Sequence, residues 1–130
     1  MTSFDIKVVS DALTERVIGA AVEVHRHLGP GLLETAYVAA LEHELVARNI
    51  SFASEVLVPI QYKGATLDGL LRMDLLIEGE LVVELKAVES IHPVHCAQVL
   101  TYLRAGQFNR GLLINFNVMK LVNGVRRFVL

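Results

Sequence analysis

The chain has one cysteine, Cys96, in 130 residues. That excludes a disulfide framework and suits a reducing compartment, so a cytoplasmic protein is expected. No apolar run approaches the ~18 residues needed to cross a bilayer, and no membrane partner is expected. The opening residues, MTSFDIKVVSDAL, lack the cationic stretch and apolar core of a secretory signal. Excess positive charge is missing too. The formal charge is −2, whereas dedicated duplex binders are usually basic. Only the late arginines Arg104, Arg110, Arg126 and Arg127 offer material for a local basic patch. There is no internal repeat, low-complexity tract or linker, so residues 1–130 are expected to form one domain. What the chain has in quantity is apolar side chains. They make up 53% of it, with a mean hydropathy of +0.48, high enough to predict a homodimer joined through an apolar surface.

Periodicity divides the chain into elements. Leu13, Val17, Ala20, Ala21, Val24 and Leu28 follow the three-four spacing of a helix face, with Ser10 as its cap and Gly29-Pro30-Gly31 as its end. A second helix is expected from about Leu32 to Arg48, with Tyr37, Leu41 and Leu45 on one stripe. SFASEVLVPIQY alternates as a strand whose Pro59 belongs near an edge or end. Pro93 can begin a third helix, through about Ala105. RGLLINF is a continuous apolar run, as expected of a strand covered on both faces. KLVNGVRRFVL carries an Asn123-Gly124 turn signal and suggests a closing hairpin. The order α-α-β-β-β-α-β-β predicts an α/β mixed sheet flanked by helices on both faces.

The segment RMDLLIEGELVVELKAVE is the most informative. Charges are rarely placed inside strands without a use. With a period of two, Leu71, Met73, Leu75 and Ile77 share one face, while Arg72, Asp74 and Leu76 share the other. Across a turn at Glu78-Gly79-Glu80, Leu81, Val83 and Leu85 alternate with Val82, Glu84 and Lys86. Matching the two apolar faces requires an even pairing sum, hence an odd loop. A three-residue loop puts Asp74 beside or diagonal to Glu84, with Lys86 on the same face. Two carboxylates at close range are costly when both are ionised, and a divalent cation relieves the cost. Hard oxygen ligands suit Mg²⁺ or Mn²⁺. Such an ion beside a lysine suits phosphodiester hydrolysis. The competing interpretation of the same spacing is a solvent-facing ion-pair cluster.

Asp74, nine intervening residues, then Glu84-Leu85-Lys86 resembles the PD-(D/E)xK nuclease superfamily. GLLETAY, from Gly31 to Tyr37, matches the motif of the GxxExxY protein family, and EVLVPIQYKG, LRMDLL, VVELKAVE and GLLINF look like further blocks of it. The resemblance implies a restriction-endonuclease-like fold and metal-dependent cleavage of nucleic acid, DNA rather than RNA, although such superfamilies include inactive relatives. It implies Asp74 and Glu84 as metal-binding acids, Lys86 as the catalytic lysine and Glu34 as an additional acid supplied by a helix. Gln98 and Tyr102 resemble a Gln-x-x-x-Tyr element that would join the catalytic set. Met73 stands where the superfamily name has proline.

Each of these residues has a plainer explanation. Glu34 is also an anion suited to a helix N-terminus. Gln98 and Tyr102, at i and i+4, also fit a polar stripe with a packed tyrosine. Arg72 either meets phosphate or neutralises Asp74. His92, His95 and Cys96 lack a fourth zinc ligand, and His25 and His27 point apart on their helix. Cys96 has no orienting partner that would make it a nucleophile. Gly29-Pro30-Gly31 lacks a phosphate-loop lysine and is a helix break. The alternative function is a catalytically silent interaction module on the same fold.

Overall fold

The structure is a computed structural model and describes residues 11–130. Helix α1 spans Ala12–Leu28 and α2 spans Glu34–Ala47. The strands are β1 (Phe52–Leu57), β2 (Ile60–Tyr62), β3 (Ala65–Leu67), β4 (Arg72–Ile77) and β5 (Leu81–Lys86). Helix α3 (Pro93–Gly106), β6 (Arg110–Asn115), a 3₁₀ turn (Leu121–Gly124) and β7 (Val125–Val129) complete the chain. The main sheet runs β1-β4-β5-β6-β7. The β5–β6 pair is parallel and the other pairs are antiparallel. Mixed α/β architecture with a five-stranded mixed sheet and flanking helices is what the element order predicts.

Local chemistry explains the boundaries. The expected cap Ser10 lies outside the described residues. The cap described is Asp11, whose carboxylate accepts from the Thr14 N–H at 2.8 Å and from its hydroxyl at 2.7 Å. Gly29, at φ +66°, turns the chain out of α1 while its N–H closes on the His25 carbonyl at 2.8 Å. Helix α2 starts at Glu34, two residues later than expected, because Gly31 takes φ +100° and the chain is still turning there. Leu28, expected on the buried face of α1, is 41% exposed. The core has two parts. Val17, Val24, Tyr37, Leu41 and Leu45 of α1 and α2 pack against Leu75, Ile77, Val83, Leu85 and Ile114. On the other side, Val99, Tyr102 and Leu103 of α3 pack against Met73, Val82 and Leu113. The run Gly111–Phe116 is buried throughout, as expected of a strand covered on both faces. Gly111 lets α3 pack closely on β6, since a Cβ there would lie 3.0 Å from Val99.

Two expectations are corrected, and most of the late arginines find partners. The single strand expected over SFASEVLVPIQY is split at Pro59, and β2 leaves the main sheet to form a separate ribbon with β3. Proline cannot donate to the ladder, so the β1–β4 pairing cannot continue unchanged through it. The residues before Asn123-Gly124 form the 3₁₀ turn instead of a strand, and β7 pairs with β6. Three of the four late arginines are engaged locally. Arg110 is held by Asp11 and Glu80, both at 2.6 Å, Arg127 by Glu15, and Arg126 by backbone carbonyls.

Candidate active site

The expected hairpin register is present. Leu75 pairs with Val83, Leu76 with Val82 and Ile77 with Leu81, around a three-residue loop in which Glu78 and Gly79 take φ +54° and +70°. The backbone ladder between β4 and β5 stops at Leu75 and Val83. One rung further, side chains take over. The Leu85 N–H donates to Asp74 Oδ2 at 2.9 Å, and the Asp74 N–H donates to Glu84 Oε1 at 3.3 Å. Each carboxylate thus replaces a backbone acceptor, and the two acids are interlocked across the strand pair.

The same rung breaks the strict alternation expected of β4. Leu75 and Ile77 join the core under α1 and α2, but Met73 is buried in the α3 cluster and Leu71 packs half-buried beside it. The expected single face Leu71-Met73-Leu75-Ile77 is therefore corrected. On β1, Glu55 sits opposite Asp74 and takes φ +51°. With a left-handed residue on one side and an ended ladder on the other, β4 is free to turn over at Asp74. Arg72 pairs with Glu55 at 3.2 Å, and not directly with Asp74.

Lys86 Nζ lies 3.7 Å from Glu84 Oε2, and both side chains are largely buried. Burial and the neighbouring Asp74 charge push the Glu84 carboxyl up to about 8, against which the Asp74 N–H and Lys86 work only in part. Burial also raises Asp74, opposed by the Leu85 N–H and then by the Lys86 charge. Glu34, the first residue of α2, is raised by burial, with Lys86 lowering it and Asp74 raising it further. The three acids and the lysine therefore feel one another's charge. Asp74 and Glu34 also line a cleft of about 340 Å³ with Thr35, Glu42, Glu55 and Arg72.

Tyr102 is buried, and its hydroxyl donates to the Arg72 carbonyl at 2.9 Å, tying α3 to the strand that carries Asp74. Burial, then Glu84 and Asp74, raises its hydroxyl pKa, so it remains a neutral donor. Gln98, one turn earlier on α3, is half-buried and makes no side-chain hydrogen bond among the described residues. His95 accepts from the His92 N–H at 3.0 Å, which explains this pair without zinc. His25 meets the Val118 carbonyl and His27 meets Glu23, each away from the other.

Two supporting residues carried no mechanistic expectation. Asn115 is 2% exposed and is the register partner of Lys86. Its amide clamps both backbone groups of Val88, accepting at 3.0 Å and donating at 2.9 Å, and it also accepts from the Asn117 N–H at 3.2 Å. A polar side chain inside the doubly covered run GLLINF had to be satisfied, and that was the available signal. Tyr37, expected as core and as the last residue of the GLLETAY motif, donates its hydroxyl to the Gly29 carbonyl at 2.5 Å and accepts from the Leu32 N–H at 3.2 Å, while its ring stacks on Phe116 at 4.5 Å. Asn117 adds an acceptor for the Gly31 N–H at 3.1 Å. The end of β6 thereby holds both the turn that delivers Glu34 and the segment that follows Lys86. Asn115→Ala should destabilise the protein by about 1–3 kcal/mol, because it strands the Val88 groups. A lowered urea midpoint at unchanged slope is the expected measurement.

A match to a family model spans residues 11–128, and that family is the PD-(D/E)XK nuclease superfamily. The chain belongs to this superfamily. No curated protein matches it. The crystal structure of SSO0001 is similar in fold to this PD-(D/E)XK chain, with a TM-score of 0.55 and 22% identity. The likeness covers 74% of this chain and 50% of that one, so the chain spans half the length of SSO0001. Members of the superfamily generally use divalent metals. The donor set here fits such an ion in its chemistry. Once both are ionised, the two interlocked carboxylates carry more negative charge than the single Lys86 ammonium offsets, and hard oxygens suit Mg²⁺ or Mn²⁺. Among the described residues, no three His, Cys, Asp or Glu side chains converge to hold a metal ion, so Glu34 does not join Asp74 and Glu84 in a closed cage.

Proposed function

We propose that this protein is a Mg²⁺- or Mn²⁺-dependent nuclease of the GxxExxY type, hydrolysing phosphodiester bonds in nucleic acid, DNA rather than RNA. The observation that carries the proposal is the interlocked Asp74–Glu84 pair with Lys86 at 3.7 Å from Glu84. Asp74 and Glu84 would hold the ion, with Glu34 as an additional acid from the α2 side. When bound, the ion polarises a phosphoryl oxygen and lowers the pKa of a coordinated water. Lys86 orients the attacking water and stabilises the negative charge that grows on the phosphoryl oxygens. The water adds a hydroxyl to phosphorus, the ester P–O bond breaks, and the departing oxygen takes up a proton. Tyr102 positions β4 through the Arg72 carbonyl, and Gln98, without a side-chain partner among the described residues, supplies a hydrogen bond to substrate or water. The GxxExxY assignment is supported by the work its residues do: Gly31 makes the turn, Tyr37 staples it, and Glu34 starts the helix between them.

The test is a Mn²⁺-dependent cleavage screen over single-stranded, duplex and branched substrates, beside a Lys86→Ala control. Cleavage by the wild type alone supports the proposal. Equal activity in both proteins means contamination or the wrong site, and a wild type that neither cleaves nor responds to metal is the silent module.

We also propose one nuclease-like domain over residues 1–130 in a cytoplasmic homodimer. Leu33 at 79% exposure and Met119 at 86% supply uncovered apolar surface for self-association. A stable pair buries more than ~1,000 Å² in total. Sedimentation should show a dimer at micromolar concentration, and monomer alone would remove this part of the proposal. No helix among the described residues is long and apolar enough to cross a membrane.

A further inference from the structure

The ribbon of β2 and β3 is the direct continuation of the strand pair that carries Asp74. Past the Leu57–Arg72 rung, the Val58 N–H still reaches the Leu71 carbonyl at 2.9 Å. Pro59 and Gly69, at φ +75°, then redirect both strands. The ribbon pairs Ile60 with Leu67, Gln61 with Thr66 and Tyr62 with Ala65 around a Lys63-Gly64 turn. That turn takes φ +48° and +83°, the left-handed pair that suits a two-residue hairpin loop. Residues 61–70 are all exposed. A lone two-stranded ribbon is marginal in water, and this one has an uneven surface. Gln61 and Thr66 share its polar face and hydrogen-bond each other at 3.1 Å. The other face presents Ile60, Tyr62, Ala65 and Leu67, with Tyr62 58% exposed and the Lys63 ammonium 5.5 Å from its ring centroid.

The cleft beside Asp74 makes such an element necessary for a polyanionic substrate. Four carboxylates, Glu34, Glu42, Glu55 and Asp74, line it with a single guanidinium, Arg72. An ion held by the acids would answer charge only at the reacting phosphate, so grip on the flanking chain must come from outside the cleft. The ribbon starts at its rim, next to Arg72. Val58 to Lys63 is six residues, a reach of at most about 20 Å at ~3.3 Å per residue. An exposed tyrosine ring with a cation over it offers a base a stacking surface and the adjoining phosphate a countercharge.

We propose that the β2–β3 ribbon is a binding element for unpaired nucleotides flanking the scissile phosphate, with Tyr62 stacking on a base and Lys63 meeting the backbone. This rests on the proposed nuclease reading, but binding and cleavage are separable. Binding of a fluorescent single-stranded DNA of mixed sequence is measured by anisotropy, with Ca²⁺ as counter-ion for the acids, for wild type, Tyr62→Phe, Tyr62→Ala and Lys63→Ala. Cleavage is measured in parallel with Mn²⁺, and association state by sedimentation. Tyr62→Ala should weaken binding about tenfold or more, the size of one lost base–aromatic stack. Tyr62→Phe should keep most of the affinity, and Lys63→Ala should lower the slope of log K against log salt by about one. The exposed ribbon makes these changes compatible with an unchanged fold, checked by circular dichroism. Wild-type affinity in Tyr62→Ala, or no DNA binding by the wild type, overturns the proposal. So does a Tyr62→Ala protein that loses only self-association, which would make a second copy of the chain the ribbon's occupant. Ribbon-dependent binding without any cleavage leaves this proposal standing and removes the nuclease reading.

Discussion

Lys86→Ala is expected to lower Mn²⁺-dependent cleavage by about 10²–10³-fold, the usual cost of losing one preorganised group that answers charge in the transition state. The geometry sets the size of the effect. The lysine side chain is only 16% exposed, so water does not screen it well, and its nearest anion is Glu84 at 3.7 Å. A desolvated ammonium acts on a developing phosphoryl charge far more strongly than an exposed one would. The variant keeps Asp74 and Glu84, so its thermal stability should still rise with Mg²⁺ or Mn²⁺. Rates under single-turnover conditions, with metal-dependent melting beside them, provide the check. A variant that cleaves at the wild-type rate would take Lys86 out of the mechanism. One that also stops responding to metal would make it a partner needed to shape the acids.

Glu84→Gln is expected to make the metal-free protein more stable than wild type at pH 8, by a few kcal/mol, and about equal to it near pH 4.5. The folded Glu84 carboxyl titrates at about 8, against 4.5 for an ordinary glutamate. Between those values the folded state holds a proton that the unfolded chain has released, so stability falls as pH rises, by about 1.4 kcal/mol per unit. Asp74 and Glu34 are also raised, so their contributions have the same sign. Wild type in chelator should therefore lose stability steadily across this window, and the glutamine variant should lose much less. Under the proposed metal binding, Mg²⁺ or Mn²⁺ should reverse the trend, because the ion would bind the ionised acids of the folded chain. At a hundredfold excess over its dissociation constant the gain is about 2.7 kcal/mol, and it should be larger at pH 8 than at pH 6. Melts of both proteins over pH, in chelator and in Mg²⁺, are the measurement. A wild type whose chelated stability is flat from pH 5 to 8 would mean that Glu84 is solvated in solution. A wild type indifferent to metal would favour the silent module.

Much of this protein was determined by sequence-local physics. Period two and a three-residue loop dictate the pairing of Leu75 with Val83, because any odd pairing sum would turn charges into the core. The run Gly111–Phe116, apolar except for Asn115, required cover on both faces, and helices on either side of the sheet provide it. The three-four spacing of Val17, Ala20, Ala21 and Val24 marked the buried face of α1. That Asp74, Glu84 and Lys86 meet was legible for the same reason: Asp74 lies opposite Glu84, and Lys86 two residues beyond it, in a hairpin whose register is local.

The tertiary structure decided everything that depends on partners distant in the chain. Glu34 approaches the acids only because Tyr37 and Asn117 hold its turn against the end of β6, contacts formed across about eighty residues. The Asn115 clamp on Val88 needs β5 and β6 to be parallel neighbours, and no local pattern states which strands adjoin. Alternation alone placed Met73 with Leu75. It failed there because side-chain carboxylates replace backbone acceptors at Asp74 while Glu55 opposite turns left-handed. A periodic pattern assumes an unbroken ladder, and at this rung the ladder ends to make room for the acids.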